Sequence, residues 1–256
     1  MTLAQSLPSP PPTPTGELSG AFALEPVRAL RAFRRLVRDK EDTQQVFEIM
    51  RAMAGRSMPR GYARLIATPE GARQATIAAE LSQRLVDFGW LESLPSGSVG
   101  AAYLAFVRAR DLSAQGLAQE SLKVADAHFD AEGPIAWYAR RLRDIHDIWH
   151  VLTGYGADAL GEACIVAFSF PQTRSFGFAV IAGGAALEFE RQRMGQPYAR
   201  AIWEAAGLGG RACWLPPLDY EPLLAAPLAE ARLRLRIRRP EVYETIPAHL
   251  RNGALG

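Results

Sequence analysis

The run RRLRDIHDIWHVLTGYGADALGE, residues 140–162, decides how this chain folds. On a helical wheel of about 100° per residue, Tyr138, Leu142, Ile145, Trp149 and Leu152 share one apolar stripe. His146 and His150 fall on the shoulder of that stripe, where a core borders a cavity. Residues four apart stack on one helix face, with about 5–6 Å between Cβ atoms. Two imidazoles placed so can reach one metal ion. Gly154-Tyr155-Gly156 is a turn signal that folds the chain back on itself. With a rise of about 1.5 Å per residue, Glu162 then faces the histidines across a helical hairpin at about their height. Asp158, one turn earlier, needs no role beyond that of an N-cap. The plain alternatives are hydrogen-bonded core rings for His146 and His150, and an i,i+4 salt bridge to Arg143 for Asp147.

Outward from this run, helix signals dominate. Asp42 with Gln45 resembles a capping box, and Gly55 supplies a stop. Thr68-Pro69-Glu70 reads as an N-cap, a proline at the first helical position and an acidic first turn, opening a helix expected to run to about Gly89. Pro134 opens the helix of the histidine pair and Gly154 closes it. Further helices are expected at about 158–170, 173–194 and 198–206. The alternation Leu233-Arg234-Leu235-Arg236-Ile237-Arg238 fits a strand or the end of an arginine-rich helix equally well. Ala163 to Leu187 holds one charge, Arg174, but Pro171 and Arg174 divide it into runs too short to span a membrane, so a buried helical hairpin is expected. The fold class that follows is all-α: a single helical domain over 25–256, with a hairpin carrying the metal site. A proline-rich tail, 1–24, precedes it and is expected to be disordered.

Composition narrows the function classes. Of the 256 residues, 48% are hydrophobic and 22% charged, as in a globular protein. A net charge of +2 excludes a nucleic-acid binder that works through bulk charge. Lys40 and Lys123 are the only lysines; every other basic residue is arginine. Cys164 and Cys213 have no partner motif, which argues against a disulfide scaffold and fits a reducing cytoplasm. The first residues lack the basic start and apolar core of a secretion signal. Residues 27–40, VRALRAFRRLVRDK, are amphipathic, with Val27, Leu30, Leu36 and Val37 on one side and Arg28, Arg31, Arg35 and Arg38 elsewhere. Such a helix either lies on an anionic membrane or docks on the core with a solvated arginine face.

The spacing His146-Asp147-x-x-His150, eleven residues, then Glu162 resembles the H-D-x-x-H-x(11)-E signature of the coenzyme Q biosynthesis protein 4 family. DTQQVFEIMRAMAG at 42–55, LPSGSVGAAYLAFV at 94–107 and HDIWHVLTGYGADALGE at 146–162 also look like family segments. The resemblance covers most of 26–250 and leaves out the proline-rich start. The mitochondrial presequence of eukaryotic members is missing, which suggests a bacterial member.

The resemblance implies a predominantly helical protein of ubiquinone biosynthesis with a metal at His146, Asp147, His150 and Glu162. Zinc is the expected ion, with iron(II) also compatible with two histidines and carboxylates. It implies peripheral attachment to the inner face of the membrane, binding of a prenylated quinone intermediate or other isoprenoid lipid, and contact with other ubiquinone-biosynthesis proteins; a second copy of the chain is a further candidate partner. It also links the family to a ring C1 step that replaces carboxyl by hydroxyl. Physical reasoning adds that an exposed isoprenoid tail costs about 0.8 kcal/mol per CH₂, so SFGFAVIAGGAALEF at 175–189 is a candidate apolar wall. Gly183 and Gly184 in it either leave room for a tail or let two helices approach closely.

Three functions compete. The first is a metal-dependent decarboxylase-hydroxylase, with Asp147 and Arg143 as catalytic candidates and Arg143 pairing the substrate carboxylate or orienting Asp147. The second is a non-catalytic lipid-binding scaffold in which a closed His-Asp-His-Glu set pins the hairpin. The third is a zinc peptidase, which the sequence disfavours because that chemistry needs a glutamate directly after the first histidine.

Overall fold

A computed structural model describes residues 56–110, 133–192 and 195–253, together with scattered positions between 25 and 53. Twelve α-helices have defined bounds among the described residues: α1 Ser57–Ile66, α2 Pro69–Ile77, α3 Leu81–Leu85, α4 Phe88–Ser93, α5 Val99–Arg108, α6 Pro134–Thr153, α7 Ala159–Thr173, α8 Phe176–Arg191, α9 Tyr198–Arg211, α10 Tyr220–Ala225, α11 Leu228–Arg234 and α12 Glu241–Thr245. A 3₁₀ turn, Ala248–Leu250, follows. No strand occurs among these residues; Ser98 and Pro227 make an isolated antiparallel bridge. The fold is all-α. The proline-rich tail, Asp42 and Gly55 lie outside the described residues.

Local sequence explains most boundaries. The Thr68 side chain accepts the N–H of Gly71 and Pro69 occupies the first position of α2. That helix stops at Ile77 rather than near Gly89, because Ala78 takes a left-handed backbone (φ 49°) and the chain restarts as α3 and α4. Asp87, Ser98 and Asp158 cap α4, α5 and α7. α6 starts at Pro134 and ends at Thr153, closed by Gly154 at φ 87°, where glycine has no steric cost. α7 continues through Pro171 to Thr173, and Arg174, left-handed at φ 56°, turns the chain into α8. The Leu233–Arg238 alternation is no strand. α11 includes Leu233 and Arg234, then Arg236 adopts φ 56° and ends the helical path.

α7 lies against α6, α8 and α9. Its Phe168 meets Trp149 of α6 edge-on at 6.0 Å, and the Trp149 indole donates to the Tyr220 hydroxyl at 2.8 Å. Two buried polar side chains tie α6 and α7 to later segments. Gln172 donates to the Gly209 carbonyl at 2.8 Å and accepts from Leu215 at 2.9 Å. Arg141 donates to the carbonyls of Pro216 and Leu218 and lies near the Trp137 and Tyr220 rings. α6 is buried more widely than its apolar stripe, since Arg141, Asp144, Ile148 and His150 are also inside.

The amphipathic stretch near the start docks on the core where it is described. Ala29 and Ala32 are buried with Ile49, Ala52 and Ile181, and Arg28 pairs with Glu48 at 2.8 Å. The inward face is the alanine side; Val27 points out, 62% exposed. No helix among the described residues is long and apolar enough to cross a membrane.

The turn between α6 and α7 tolerates no bulk. A Cβ at Gly161 would stand 2.0 Å from the Gly156 carbonyl oxygen, whereas one at Gly183 of α8 meets nothing within 4 Å. Thermal unfolding should separate the two. Gly161→Ala should lower Tm by several degrees or abolish folding, and Gly183→Ala should be neutral or stabilising by up to about 1 kcal/mol.

Candidate metal centre

The site is built from the end of α6, the start of α7 and the end of α5. His146, Asp147 and His150 project from consecutive turns of α6, and one ligand atom from each lies within 4.8 Å of the others. Glu162, in the first turn of α7, does not belong to that mutual cluster but brings Oε2 to 3.4 Å from Nε2 of His150. The hairpin thus sets an acid of the second helix against a histidine of the first. Asp158 is the N-cap, accepting from Gly161 at 2.9 Å and from the Tyr243 hydroxyl at 2.5 Å.

The tautomer of His150 follows from its partner. Nδ1 lies 3.2 Å from the Tyr155 carbonyl oxygen, which only accepts, so Nδ1 carries the proton. In the neutral ring Nε2 is then a lone pair. It is buried and has no hydrogen-bond partner, with the Glu162 carboxylate 3.4 Å away. A lone pair facing a carboxylate repels it unless a cation stands between them. Two ligands each about 2.1 Å from a tetrahedral ion stand about 3.4 Å apart. The separation fits an ion held by both. A backbone carbonyl on the far ring nitrogen is also the usual way a ligating histidine is oriented. The residues present therefore fit a divalent metal.

Protons and a metal compete for these groups. Burial alone would lower the His146 pKa, but Asp147, 3.4 Å from its Nδ1, and Glu162 outweigh burial and hold it above the ordinary histidine value. Burial opposes ionisation of Asp147 and Glu162, yet the histidines and Arg110 bring both below their usual range.

Three residues at the site escaped the sequence reading. Phe106 stacks on His150 (centroids 5.2 Å, planes 25° apart). Arg110 approaches Asp147 at 3.6 Å and lies over the Phe106 ring at 5.5 Å. Tyr103, buried beneath, has a strongly raised pKa, from burial first and then from Asp147 and Asp144. They come from the segment 94–107 and just after it, whose only signal was likeness to a family segment. The expected Arg143–Asp147 pair does not form. Arg143 turns to the neighbouring Asp144, with Nη2 to Oδ1 at 2.9 Å.

A profile described as coenzyme Q (ubiquinone) biosynthesis protein Coq4 matches residues 26–241. The chain belongs to the Coq4 family. A ubiquinone biosynthesis protein COQ4 homolog, mitochondrial, of Rattus norvegicus is 29% identical over 175 residues, 67% of this chain and 62% of the relative. The homolog of Bos taurus is 30% identical over 172 residues, with the same shares. The chain thus spans less than two thirds of these curated relatives. The crystal structure of a Nostoc punctiforme protein named for ubiquinone biosynthesis superimposes with a TM-score of 0.58 at 17% identity, covering 84% of this chain and all of that one. At that identity the likeness speaks for the fold alone.

Metal binding should compete with protons at higher pH than for an ordinary histidine site. The raised His146 pKa means a proton must be displaced even somewhat above pH 6.5. A chelator-competition titration from pH 8 to 6 should show affinity falling steadily toward acid. His150→Ala should remove bound metal at every pH.

Proposed function

We propose that this protein acts in ubiquinone biosynthesis as a metal-dependent enzyme that replaces the C1 carboxyl of a prenylated hydroxybenzoate-type intermediate by hydroxyl. The observation that carries this is the buried, unpartnered His150 Nε2 facing Glu162 beside His146 and Asp147. These four residues would hold the ion, zinc in the first instance and iron(II) as the alternative. The ion would supply Lewis acidity toward a phenolate or carboxylate, and iron(II) would add redox chemistry. The chain's own groups do the rest. Arg110, at the rim beside Asp147, takes the substrate carboxylate by charge-assisted hydrogen bonds. Phe106, flat against His150, offers its ring as an aromatic wall. Arg143, held on Asp144, is a second cation whose release would let it reach the same carboxylate. Overall, an aromatic acid and half an equivalent of dioxygen give a phenol and carbon dioxide. Two electrons pass from substrate to dioxygen.

The prenyl tail needs an apolar path. Phe176 and Leu187 of α8 are more than half exposed, and Gly183 lies open between them, which suits an isoprenoid or a membrane surface. Other ubiquinone-biosynthesis proteins, and peripheral placement at the inner face of the membrane, belong to this reading.

A second reading is favoured by the donor count. Four donors at the hairpin can close a tetrahedral zinc, leaving no position for substrate, and the protein then serves as a lipid-binding scaffold. One experiment separates the two. The purified protein is loaded with zinc or iron(II) and incubated in air with prenylated 4-hydroxybenzoate-type substrate. The enzyme reading expects product that disappears in His150→Ala and falls by about 10–100-fold in Arg110→Ala, the worth of a hydrogen bond to a charged group. Arg143→Ala should lose less. Tight metal, full thermal stability and no product with either metal would overturn catalysis in favour of the scaffold.

A further inference from the structure

The arginine-rich run 232–239 supplies no ligand to the metal centre, although Arg232 props the end of α6. It forms one side of an open cleft of about 600 Å³, lined by Gly210, Arg211, Arg232, Leu233, Arg236 and Arg238 among others. Arg211 ends α9, and Arg232 and Leu233 lie on α11, so two separate helices bring arginines to the lining of one space. Arg211, Arg236 and Arg238 have no carboxylate partner among the described residues; the Arg236 Nε reaches only the Cys213 sulfur, at 3.4 Å. Arg232 is fixed at the floor by the carbonyls of Leu152 and Val151 at 2.9 and 3.1 Å. Nearby acids are engaged elsewhere, Glu244 with Arg239 at 3.0 Å and Glu204 with the Val242 N–H at 2.9 Å. Four like charges around one cavity repel one another until an anion with several acceptor oxygens enters, and guanidinium forks match phosphate.

The cleft is not polar throughout. Leu233 stands 80% exposed beside it. A second cleft of about 320 Å³ shares Arg211 and carries Trp203, 82% exposed. Exposed apolar side chains interleaved with arginines suit a phosphate attached to an apolar body.

We infer that the cleft between the end of α9 and the Leu233–Arg238 segment is a binding site for a phosphate group, carried by a lipid headgroup or by a free phosphate ester. The site is independent of the metal and needs no catalysis to be observed.

The test uses the full-length protein and two probes: inorganic diphosphate, followed by isothermal titration, and phosphatidylcholine vesicles with or without phosphatidylglycerol, followed by co-sedimentation. At about 1 kcal/mol per arginine near a lipid surface, each lost charge weakens binding about fivefold, and the pair R236Q/R238Q about 25-fold. R60Q/R191Q removes the same net charge elsewhere on the surface and should change binding less than about twofold. Circular dichroism verifies folding, and Arg211→Gln, on a different helix, should give the single-charge loss on its own. Binding to anionic vesicles alone assigns a lipid headgroup. Binding of diphosphate assigns a free phosphate ester. The inference is overturned if neither probe binds, or if R60Q/R191Q loses as much as R236Q/R238Q.

Discussion

Everything at the centre depends on the hydrogen bond from His150 Nδ1 to the Tyr155 carbonyl. It spans the turn that reverses the chain, so one contact both closes α6 and fixes which nitrogen of His150 looks into the site. The turn can make it because Gly154 is left-handed and because Gly161 lets the start of α7 come against the Gly156 backbone. Were Nδ1 free, the ring could choose its tautomer and donate to Glu162, and the hairpin would end in an ordinary histidine–glutamate pair. With Nδ1 committed, Nε2 of the neutral ring presents a lone pair toward Glu162, and a cation between the two would satisfy it.

The hairpin does not hold itself. The last carbonyls of α6 and first N–H groups of α7 need partners that helices cannot supply at their own ends. These come from far along the chain. Arg232 donates to Val151 and Leu152. The Tyr243 hydroxyl accepts from Gly156 and donates to Asp158. The Arg251 carbonyl and the Asn252 side chain accept from Leu160 and Ala159. Each reaches the hairpin from 80 or more positions away. The site is therefore assembled only when the C-terminal quarter has folded over it, and a change in that quarter can alter the centre without touching a ligand.

How much of this the sequence discloses depends on range. The ends of α6, the cap of α7 and the facing of Glu162 toward His150 rest on local rules, on residues within one hairpin, and they are legible. The break at Ala78 is not, because a left-handed alanine has no composition signal; packing around α3 and α4 decides it. Phe106 and Arg110 reach the histidines from another helix, and no spacing rule relates positions 106 and 150. The Leu233–Arg238 alternation misleads for the same reason. Its period of two comes from Leu235 and Ile237 turning inward on either side of a left-handed Arg236, not from a pleated strand.

The choice Arg143 makes shows which interaction wins when two are available. On the wheel, Asp147 is its i,i+4 neighbour, and exposed pairs of that kind are worth about 0.3–0.5 kcal/mol. Asp144 competes from the adjacent position with its side chain only 5% exposed. An unpaired buried carboxylate costs several kcal/mol, so the guanidinium goes where the penalty is larger. Even so paired, and with the Ser82 N–H at 3.1 Å, Asp144 keeps a raised pKa, because burial outweighs both partners. The consequence lies one turn on. Asp147, released from Arg143, turns to His146 and Arg110 and stays ionised at the mouth of the site. A buried aspartate with no place in the chemistry thus decides which acid is free to take part in it.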